Sequence, residues 1–263
     1  MKELKIPKDY YQYYNGDTLI VQIGCGGTGS QLVPFLARFA SQQCHKWVYH
    51  LIDGDKVEKK NILRQNFVNK DVGLSKSSVL GSRYGGAFGI DMCVHEKYVE
   101  TEKEVINMLS ELTRQNLGIL ITCVDNNKTR QLIYNTIESK FDTFNWRRFM
   151  WIDVGNELKA GQVFITGESQ GHKHPRLLQA YPDLAVVTDK LPTEQSCAER
   201  LVSGEQSLAV NATAALMVFN TIAQMTTEQK LTYYEINFNV NNTFTKKFID
   251  DWKDEKPVLI ASK

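Results

Sequence analysis

The sequence contains little of what would place the protein outside an ordinary globular class. The chain has 31 lysine and arginine residues and 30 aspartate and glutamate residues, which gives a net charge of +1. A chain with so little net charge has no general electrostatic attraction for nucleic acid or an anionic membrane. The longest apolar runs, LGILITCV and TAALMVF, fall short of the ~20 residues that span a bilayer. The amino terminus has no apolar core or small-residue cleavage site of the kind found in signal peptides. These absences predict a cytoplasmic protein whose partners include neither nucleic acid nor a membrane.

Closely spaced cysteines are also absent. No cysteine lies within four residues of another, which excludes a CxxC zinc pair, so we expect no zinc site. An odd, scattered set in a cytoplasmic chain is typical of free thiols, and most are expected to pack as small core residues. The set consists of Cys25, Cys44, Cys93, Cys123 and Cys197.

What is present is an alternation of apolar strand-like and amphipathic helix-like segments. TLIVQIG, WVYHLID and LGILITCV predict buried strands, and each is followed by a segment that contains a helical pattern. RFMWIDVG and AGQVFITG predict two further strands, joined as a hairpin through NELK. The alternation predicts a doubly wound, Rossmann-like α/β sheet that is mostly parallel.

The chain is expected to form a single domain over residues 1–263, with a nucleotide-binding core at 15–155 and a C-terminal part at 156–263. Residues 168–205 are polar, contain three prolines and show no period, so they predict a long loop. A loop of that length in a compact domain is usually functional or mobile. An apolar helix, QSLAVNATAALMVFNTIAQM, and a late strand, LTYYEINFNV, are predicted to follow.

A glycine-rich turn stands between the first predicted strand and helix. Gly24, Gly26 and Gly29 match the G-x-G-x-x-G pattern, which permits a tight turn, close approach of the backbone to phosphate, and close packing of helix on strand. The helix that follows offers free N–H groups and the positive end of its dipole. Asp53, at the end of the second strand, is placed to accept hydrogen bonds from ribose hydroxyls. The pattern predicts a nucleotide site but does not separate NAD from ATP.

The stretch after the second strand carries an unusual polar set. Asn61, Arg64 and Gln65, followed by Lys76, would bring two cations toward a polyphosphate. Each cation alone is more simply interpreted as a solvated surface charge. As a set, these residues indicate a phosphate site.

These motifs together resemble the superfamily of ThiF, MoeB and ubiquitin-activating enzymes. The chain carries GCGGTG, DGD, NILRQ, VGLSK and CVDNN in the order of that family's glycine turn, acid-x-acid, Asn-x-x-Arg-Gln, lysine and Cys-x-Asp-Asn. Downstream, the chain is similar to the ThiF-type proteins of bacterial PRTRC gene systems. The resemblance implies an adenylation fold in which a mostly parallel sheet is extended by antiparallel strands toward the C-terminus.

The resemblance also implies roles for individual residues. Asp53 would bind the ribose of ATP, Lys76 would contact the phosphates, and Asp125 would hold a magnesium ion. An alternative for Asp125 is the N-cap of the helix that begins near Asn127. The implied nucleotide-binding residues are Gly24, Gly26, Gly27, Gly29, Asp53, Asn61, Arg64, Gln65, Lys76, Asp125 and Asn126.

The implied reaction is adenylation of the C-terminal carboxylate of a ubiquitin-like or sulfur-carrier protein, with ATP and Mg²⁺. Arg64, Lys76 and Asp125 would be catalytic, and Cys197 would form a thioester with the activated carboxylate. Cys197 is equally well interpreted as an inert loop cysteine. A homodimer and a downstream conjugating enzyme are the further partners that the resemblance implies.

The chain departs from the family in two ways. Residues 2–17 contain no arginine, whereas many members carry an arginine motif there. The CxxC pairs that hold zinc in many members are missing as well. Three other functions remain open: an NAD(P)-dependent oxidoreductase, a non-catalytic nucleotide-binding scaffold, and an adenylating enzyme acting on a peptide or a tRNA base.

Overall fold

The computed structural model describes most of the chain in several segments. The described residues are 4–5, 17–115, 117–140, 143–144, 149–169, 172–173, 176–182, 190–194, 207–228, 230–239, 241 and 243–249. The strands are β1 Leu4–Lys5, β2 Thr18–Ile23, β3 Trp47–Ile52, β4 Asp91–His95, β5 Leu117–Thr122, β6 Phe149–Asn156, β7 Ala160–Ser169, β8 His172–Lys173, β9 Lys230–Leu231, β10 Tyr233–Asn239 and β11 Phe244–Phe248. The helices are α1 Gly27–Ala40, α2 Lys76–Phe88, α3 Glu102–Leu112, α4 Asn127–Ser139, α5 Leu177–Ala180 and α6 Leu208–Glu228.

One mixed sheet organises the fold. Its strand order is β11-β10-β7-β6-β5-β2-β3-β4, and β8 pairs with β7. The five strands from β6 to β4 in this order run parallel, while β7, β10 and β11 are joined to them by antiparallel pairing. The predicted fold class, a doubly wound, mostly parallel sheet extended by antiparallel strands, is confirmed.

The central strands are buried on both faces, as their sequences require. Every residue of β2 and β5 is buried, which is the pattern of parallel strands covered by helices on two sides. The connections through α1 and α2 lead outward from β2 to β3 and β4. Those through α3 and α4 lead from β4 back to β5 and then β6, so right-handed crossovers place the two helix pairs on opposite faces.

Helix α6 covers the sheet beside α1. The two helices are in contact, and the ring of Phe219 stacks on that of Phe35 with centroids 5.6 Å apart. Among the described residues, α6 is the one helix long and apolar enough to cross a membrane by length and composition, although the uninterrupted apolar runs in the sequence are shorter than a span. This is weak evidence for a membrane span, since a core helix passes the same test and 44% of the most apolar window of α6 is buried.

The segment predicted as a long loop contains regular structure in its described part. Strand β7 continues to Ser169, β8 follows, and α5 lies over the core with Leu177 and Leu178 buried. A 3₁₀ turn spans Pro192–Glu194. The segment 168–205, predicted as a long loop, therefore includes short strand and helix segments among its described residues.

The cysteines divide between core and surface. The four described cysteines are unpaired thiols, as predicted. Cys25 is buried and Cys123 is half-buried, whereas Cys44 and Cys93 are exposed, so packing in the core accounts for only part of the set. Cys197 lies outside the described residues.

Candidate functional site

The carboxyl ends of β2 and β5 form the switch point of the sheet. From β2 the chain turns toward β3, whereas β5 lies on the opposite side of β2, so the loops after the two strands diverge there. Open α/β sheets bind ligands in the crevice at this position. A cavity of about 530 Å³ lies there. Its lining includes Gly24, Gly26, Gly27, Asp53, Asn61, Arg64, Gln65, Lys76, Asp125 and Asn126, so of the predicted nucleotide-binding residues only Gly29 does not line it.

Two glycines of the turn are required by the backbone itself. Gly24 has φ of +96°, and a Cβ atom there would lie 2.6 Å from the carbonyl oxygen of Cys123. A Cβ atom on Gly29 would lie 2.0 Å from the carbonyl oxygen of Gly24, so the first turn of α1 packs directly against the glycine turn. Gly29 therefore acts through packing and does not face the cavity.

The start of α1 is suited to an anion. Gly26 is its N-cap and provides no side-chain hydrogen bond to the first turn. The first N–H groups of a helix have no partner within the helix, and the positive end of the helix dipole adds to their attraction for negative charge. The turn and the start of α1 line the cavity, where these N–H groups would favour an anionic ligand.

Both carboxylate oxygens of Asp53 accept hydrogen bonds from backbone N–H groups. Its Oδ2 accepts a hydrogen bond from the N–H of Cys25 at 2.6 Å, and its Oδ1 accepts one from the N–H of Asp55 at 2.7 Å. Burial raises the pKa of Asp53, while the charge of Lys76 and these two hydrogen bonds oppose the rise. The carboxylate thus ties the glycine turn to the end of β3.

Asp55 presents its carboxylate to the cavity more openly. Its side chain is 46% exposed, accepts a hydrogen bond from Lys76 Nζ at 2.8 Å, and accepts another from the Tyr98 hydroxyl. The resemblance implied a ligand role for Asp53 and none for Asp55. The acid-x-acid motif contains both residues, but the sequence alone does not show which carboxylate faces the cavity. The structure distinguishes them, because only Asp53 accepts hydrogen bonds from backbone N–H groups with both oxygens.

Lys76 is a buried cation at the start of α2. Its side chain is 8% exposed and lies against Asp55. Burial would lower the pKa of Lys76, but the carboxylates of Asp53 and Asp55 outweigh this effect, so the pKa lies above its ordinary value. Lys76 is therefore protonated throughout the physiological pH range and brings a fixed positive charge to the cavity.

The Asn61–Gln65 segment forms one wall. Asn61 is buried and its Oδ1 accepts a hydrogen bond from the N–H of Glu58 at 2.8 Å, which fixes the short 3₁₀ turn Lys59–Asn61. Arg64 lines the cavity beside it. The buried Oε1 of Gln65 has no hydrogen-bond partner among the described residues. Gln65 thus lines the cavity with one buried acceptor left unpaired.

The loop after β5 forms the opposite wall. Asn126, and not Asp125, is the N-cap of α4, because its Oδ1 accepts a hydrogen bond from the N–H of Thr129 at 3.0 Å. The N-cap alternative for Asp125 is therefore wrong. Asp125 is exposed and lines the cavity, so its carboxylate is available to a ligand.

The segment 190–194 crosses the rim of the cavity. Thr193 donates hydrogen bonds from its N–H and hydroxyl to Glu100, at 2.8 and 2.6 Å. Asn126 Nδ2 donates to the carbonyl of Lys190, and Pro192 lines the cavity. The candidate nucleophile Cys197 follows this segment in the sequence but lies outside the described residues.

A second cavity, of about 790 Å³, opens beside the first. Both are lined by Gly27, Asp125 and Asn156, so the two cavities lie side by side at the start of α1. The wall of the second cavity over the antiparallel strands is mainly neutral and polar. It includes Gln162, Tyr181, Asn237, Asn239, Thr243 and Thr245.

The site also suits a magnesium ion that accompanies phosphates. Among the described residues, no group of three or more His, Cys, Asp and Glu side chains is placed to hold a metal. Mg²⁺ at phosphate sites is commonly held by one or two carboxylates together with phosphate oxygens and water. Asp125 fits this mode because it is an exposed oxygen ligand beside the predicted phosphate position.

Comparisons with solved structures agree with this fold. PaaA superposes with a TM-score of 0.63 at 16% identity, covering 88% of this chain and 64% of PaaA. MccB of E. coli, solved with ATP, gives 0.62 at 15% identity, covering 91% and 65%. The microcin C7 biosynthetic enzyme MccB in complex with N-formylated MccA gives 0.61 at 16% identity, covering 88% and 64%. This chain therefore spans less than two thirds of these proteins, and the likeness concerns the fold.

Family membership rests on the sequence of almost the whole chain. No curated protein gives a significant match. The model of the ThiF family matches residues 14–256, a range that contains both cavities and every motif described above. The chain belongs to the ThiF family.

Proposed function

We propose that the protein uses ATP to adenylate the C-terminal carboxylate of a protein or peptide. The observation that carries the proposal is the convergence of the glycine turn, Arg64, Lys76 and Asp125 on one cavity that shares part of its lining with a second. A nucleotide-binding turn alone suits many activities. Two cations and a carboxylate around the predicted phosphates suit attack on a phosphate group.

The proposed reaction places ATP in the first cavity. The N–H groups at the start of α1 bind phosphate oxygens, Asp55 and Gln65 face the ribose, and Arg64 and Lys76 contact the phosphates. A carboxylate oxygen of the substrate attacks the α-phosphorus while the bond to pyrophosphate breaks. The products are an acyl-adenylate and pyrophosphate. The magnesium ion, held by Asp125, would neutralise charge on the phosphates.

The second cavity is the proposed entrance for the substrate tail. Its neutral amide and hydroxyl groups match the donors and acceptors of an extended peptide backbone. Because it shares Asp125 and Asn156 with the nucleotide cavity, a chain end lying in it would reach the nucleotide. Positioning and charge stabilisation then account for catalysis, without a general base.

We further propose that the substrate is a ubiquitin-like or sulfur-carrier protein and that the enzyme is a homodimer. In this form of the proposal, the acyl-adenylate is attacked by the thiolate of Cys197 and AMP leaves, which yields a thioester for a downstream conjugating enzyme. The support is the motif set shared with ubiquitin-activating enzymes. Light scattering tests the dimer: a single species at the monomer mass at working concentration would contradict it.

A second candidate is adenylation of a peptide that is not part of a ubiquitin-like fold. The observation that favours it is the set of similar structures in which MccB carries MccA. An NAD(P)-dependent oxidoreductase is less well supported, because that chemistry gives no role to Arg64, Lys76 and Asp125 around one cavity.

Pyrophosphate exchange tests the proposal. The full chain is incubated with ATP, magnesium, labelled pyrophosphate and either a candidate carrier protein or a synthetic peptide with a free C-terminus. Exchange that requires the carrier supports the first form, and exchange with the peptide alone supports the second. Binding of NADH without binding of ATP in calorimetry would contradict both forms.

A further inference from the structure

We infer that Arg130 is a positioning residue, whose guanidinium holds the loop between β5 and α4 so that Asp125 faces the nucleotide cavity. The inference rests on the proposed function for the role of Asp125. Arg130 lines the second cavity and not the first, so it acts on the nucleotide through the loop. The motif set does not include it.

The guanidinium joins three parts of the fold. Its Nε donates to both carboxylate oxygens of Asp153, each at 3.1 Å. One terminal nitrogen donates to Asn127 Oδ1 at 2.9 Å. The other donates to the carbonyl of Val154 at 2.7 Å and to the carbonyl of Val124. Arg130 thus links the start of α4, the end of β6 and the loop after β5.

These contacts fix both neighbours of Asp125. The carbonyl of Val124, on one side, accepts from Arg130. Asn126, on the other side, caps α4 and donates to the carbonyl of Lys190. The backbone of Asp125 is therefore fixed at both ends, while its side chain is exposed to the cavity.

Asp153 continues the same network into the sheet. Its Oδ1 also accepts from the hydroxyl of Thr122, which in turn accepts from Trp151 Nε1 at 2.9 Å. The side chains of Arg130 and Asp153 are 9% and 3% exposed. A buried ion pair contributes less to stability than its Coulomb attraction implies, because both charges lose their hydration. What this pair contributes is one defined geometry, since the planar fork matches its acceptors in fixed directions.

A lysine cannot replace this fork. An ammonium at position 130 keeps the charge opposite Asp153 but cannot reach that carboxylate and both backbone carbonyls in the same arrangement. The loop would then sample other conformations, and Asp125 would leave its position. A misplacement of about 1 Å near the reacting groups costs on the order of 10²-fold in rate.

The test combines amide hydrogen exchange with a double-mutant cycle on the full chain. Arg130→Lys is expected to speed amide exchange across residues 123–127 without nucleotide, while the last turn of α4 is unchanged. In pyrophosphate exchange, kcat is expected to fall about 10- to 100-fold, with the KM for ATP within threefold of the wild type. In an Asp125→Ala background the same substitution is expected to cause no further loss.

Arg176→Lys is the matched control. Arg176 forms an ion pair with Glu138 in the last turn of α4, so its substitution perturbs the same helix at the other end. Its kcat and the exchange of residues 123–127 are expected to match the wild type. If Arg130→Lys does not fold, Asn127→Ala, which removes one acceptor of Arg130, is expected to produce the same changes at smaller amplitude.

The possible results separate this inference from the proposed function. Unchanged amide exchange at residues 123–127 overturns the positioning role, and so does a loss of rate that is as large without Asp125 as with it. A wild type that shows no pyrophosphate exchange with any carrier or peptide overturns the proposed function. In that case the hydrogen-exchange arm still decides whether Arg130 holds the loop.

Discussion

Replacement of Lys76 by methionine separates a phosphate-binding role from a purely structural one. Lys76 is 8% exposed, so methionine retains most of the buried side-chain volume while removing the charge. Loss of one partner from a buried pair costs about 3–5 kcal/mol. Because Asp55 is 46% exposed and water stabilises it after the change, we expect a smaller loss in unfolding free energy, about 1–2 kcal/mol.

The expected loss of catalysis is larger. Removing one preorganised donor from a developing negative charge typically lowers the rate about 10²–10³-fold, equivalent to about 3–4 kcal/mol. The assays are urea unfolding and carrier-dependent pyrophosphate exchange. Lys46→Met is the matched control, because Lys46 forms a 3.1 Å ion pair with Asp91 at the surface, and it should leave exchange unchanged. A folded Lys76→Met protein that keeps exchange within threefold of the wild type would refute a phosphate-binding role for Lys76.

Three further predictions concern packing, pH and the thiol. Gly29→Ala places a Cβ atom 2.0 Å from a backbone oxygen, so urea unfolding should show a loss of about 1–3 kcal/mol. Gly86→Ala, where a Cβ atom meets nothing within 4 Å, should instead add about 0.5–1 kcal/mol; the reverse order would contradict the packing role. Asp71 is buried, which would raise its pKa, but the 2.6 Å hydrogen bond from Arg83, the hydrogen bond from the N–H of Val68 and the charge of Arg83 together outweigh this, and the pKa is lowered. Its stabilising effect is therefore complete above the unfolded-state pKa of about 3.9 and is lost as pH falls through the folded pKa. Unfolding followed against pH should show Asp71→Asn less stable than the wild type at pH 7, with the difference shrinking below about pH 4; a difference independent of pH would contradict the assignment. Cys197→Ala should retain pyrophosphate exchange but lose any reducible conjugate on non-reducing gels, and a conjugate that persists would exclude this thiol.

Strands β2, β3, β5 and β6 could be predicted because each is a mainly apolar run in the sequence. Strand β2 ends at the glycine turn, and β5 ends just before the Cys-x-Asp-Asn motif. Strand β11 was not predicted because its sequence, FTKKF, is short and half polar, and all five of its residues are exposed. Its backbone pairing with β10 places it in the sheet, and this pairing cannot be predicted from the local sequence of β11.

In the candidate site, too, some features could be predicted from the sequence and others depend on tertiary contacts. The family motifs identified the residues that line the cavity, because the sheet topology brings the ends of its central strands together. The sequence did not distinguish Asp53 from Asp55, since the difference lies in which carboxylate accepts backbone N–H groups. Nor did it identify Arg130, whose partner Asp153 is 23 positions away on another element. Tertiary contacts decide both cases.

The most direct measurement is a crystal structure of the chain with magnesium and a non-hydrolysable ATP analogue. We expect the triphosphate against the first turn of α1, with Arg64 and Lys76 in hydrogen-bonding distance of its oxygens and the α-phosphate facing the second cavity. A nucleotide bound elsewhere, or one whose α-phosphate is closed off from the second cavity, would contradict adenylation at this site.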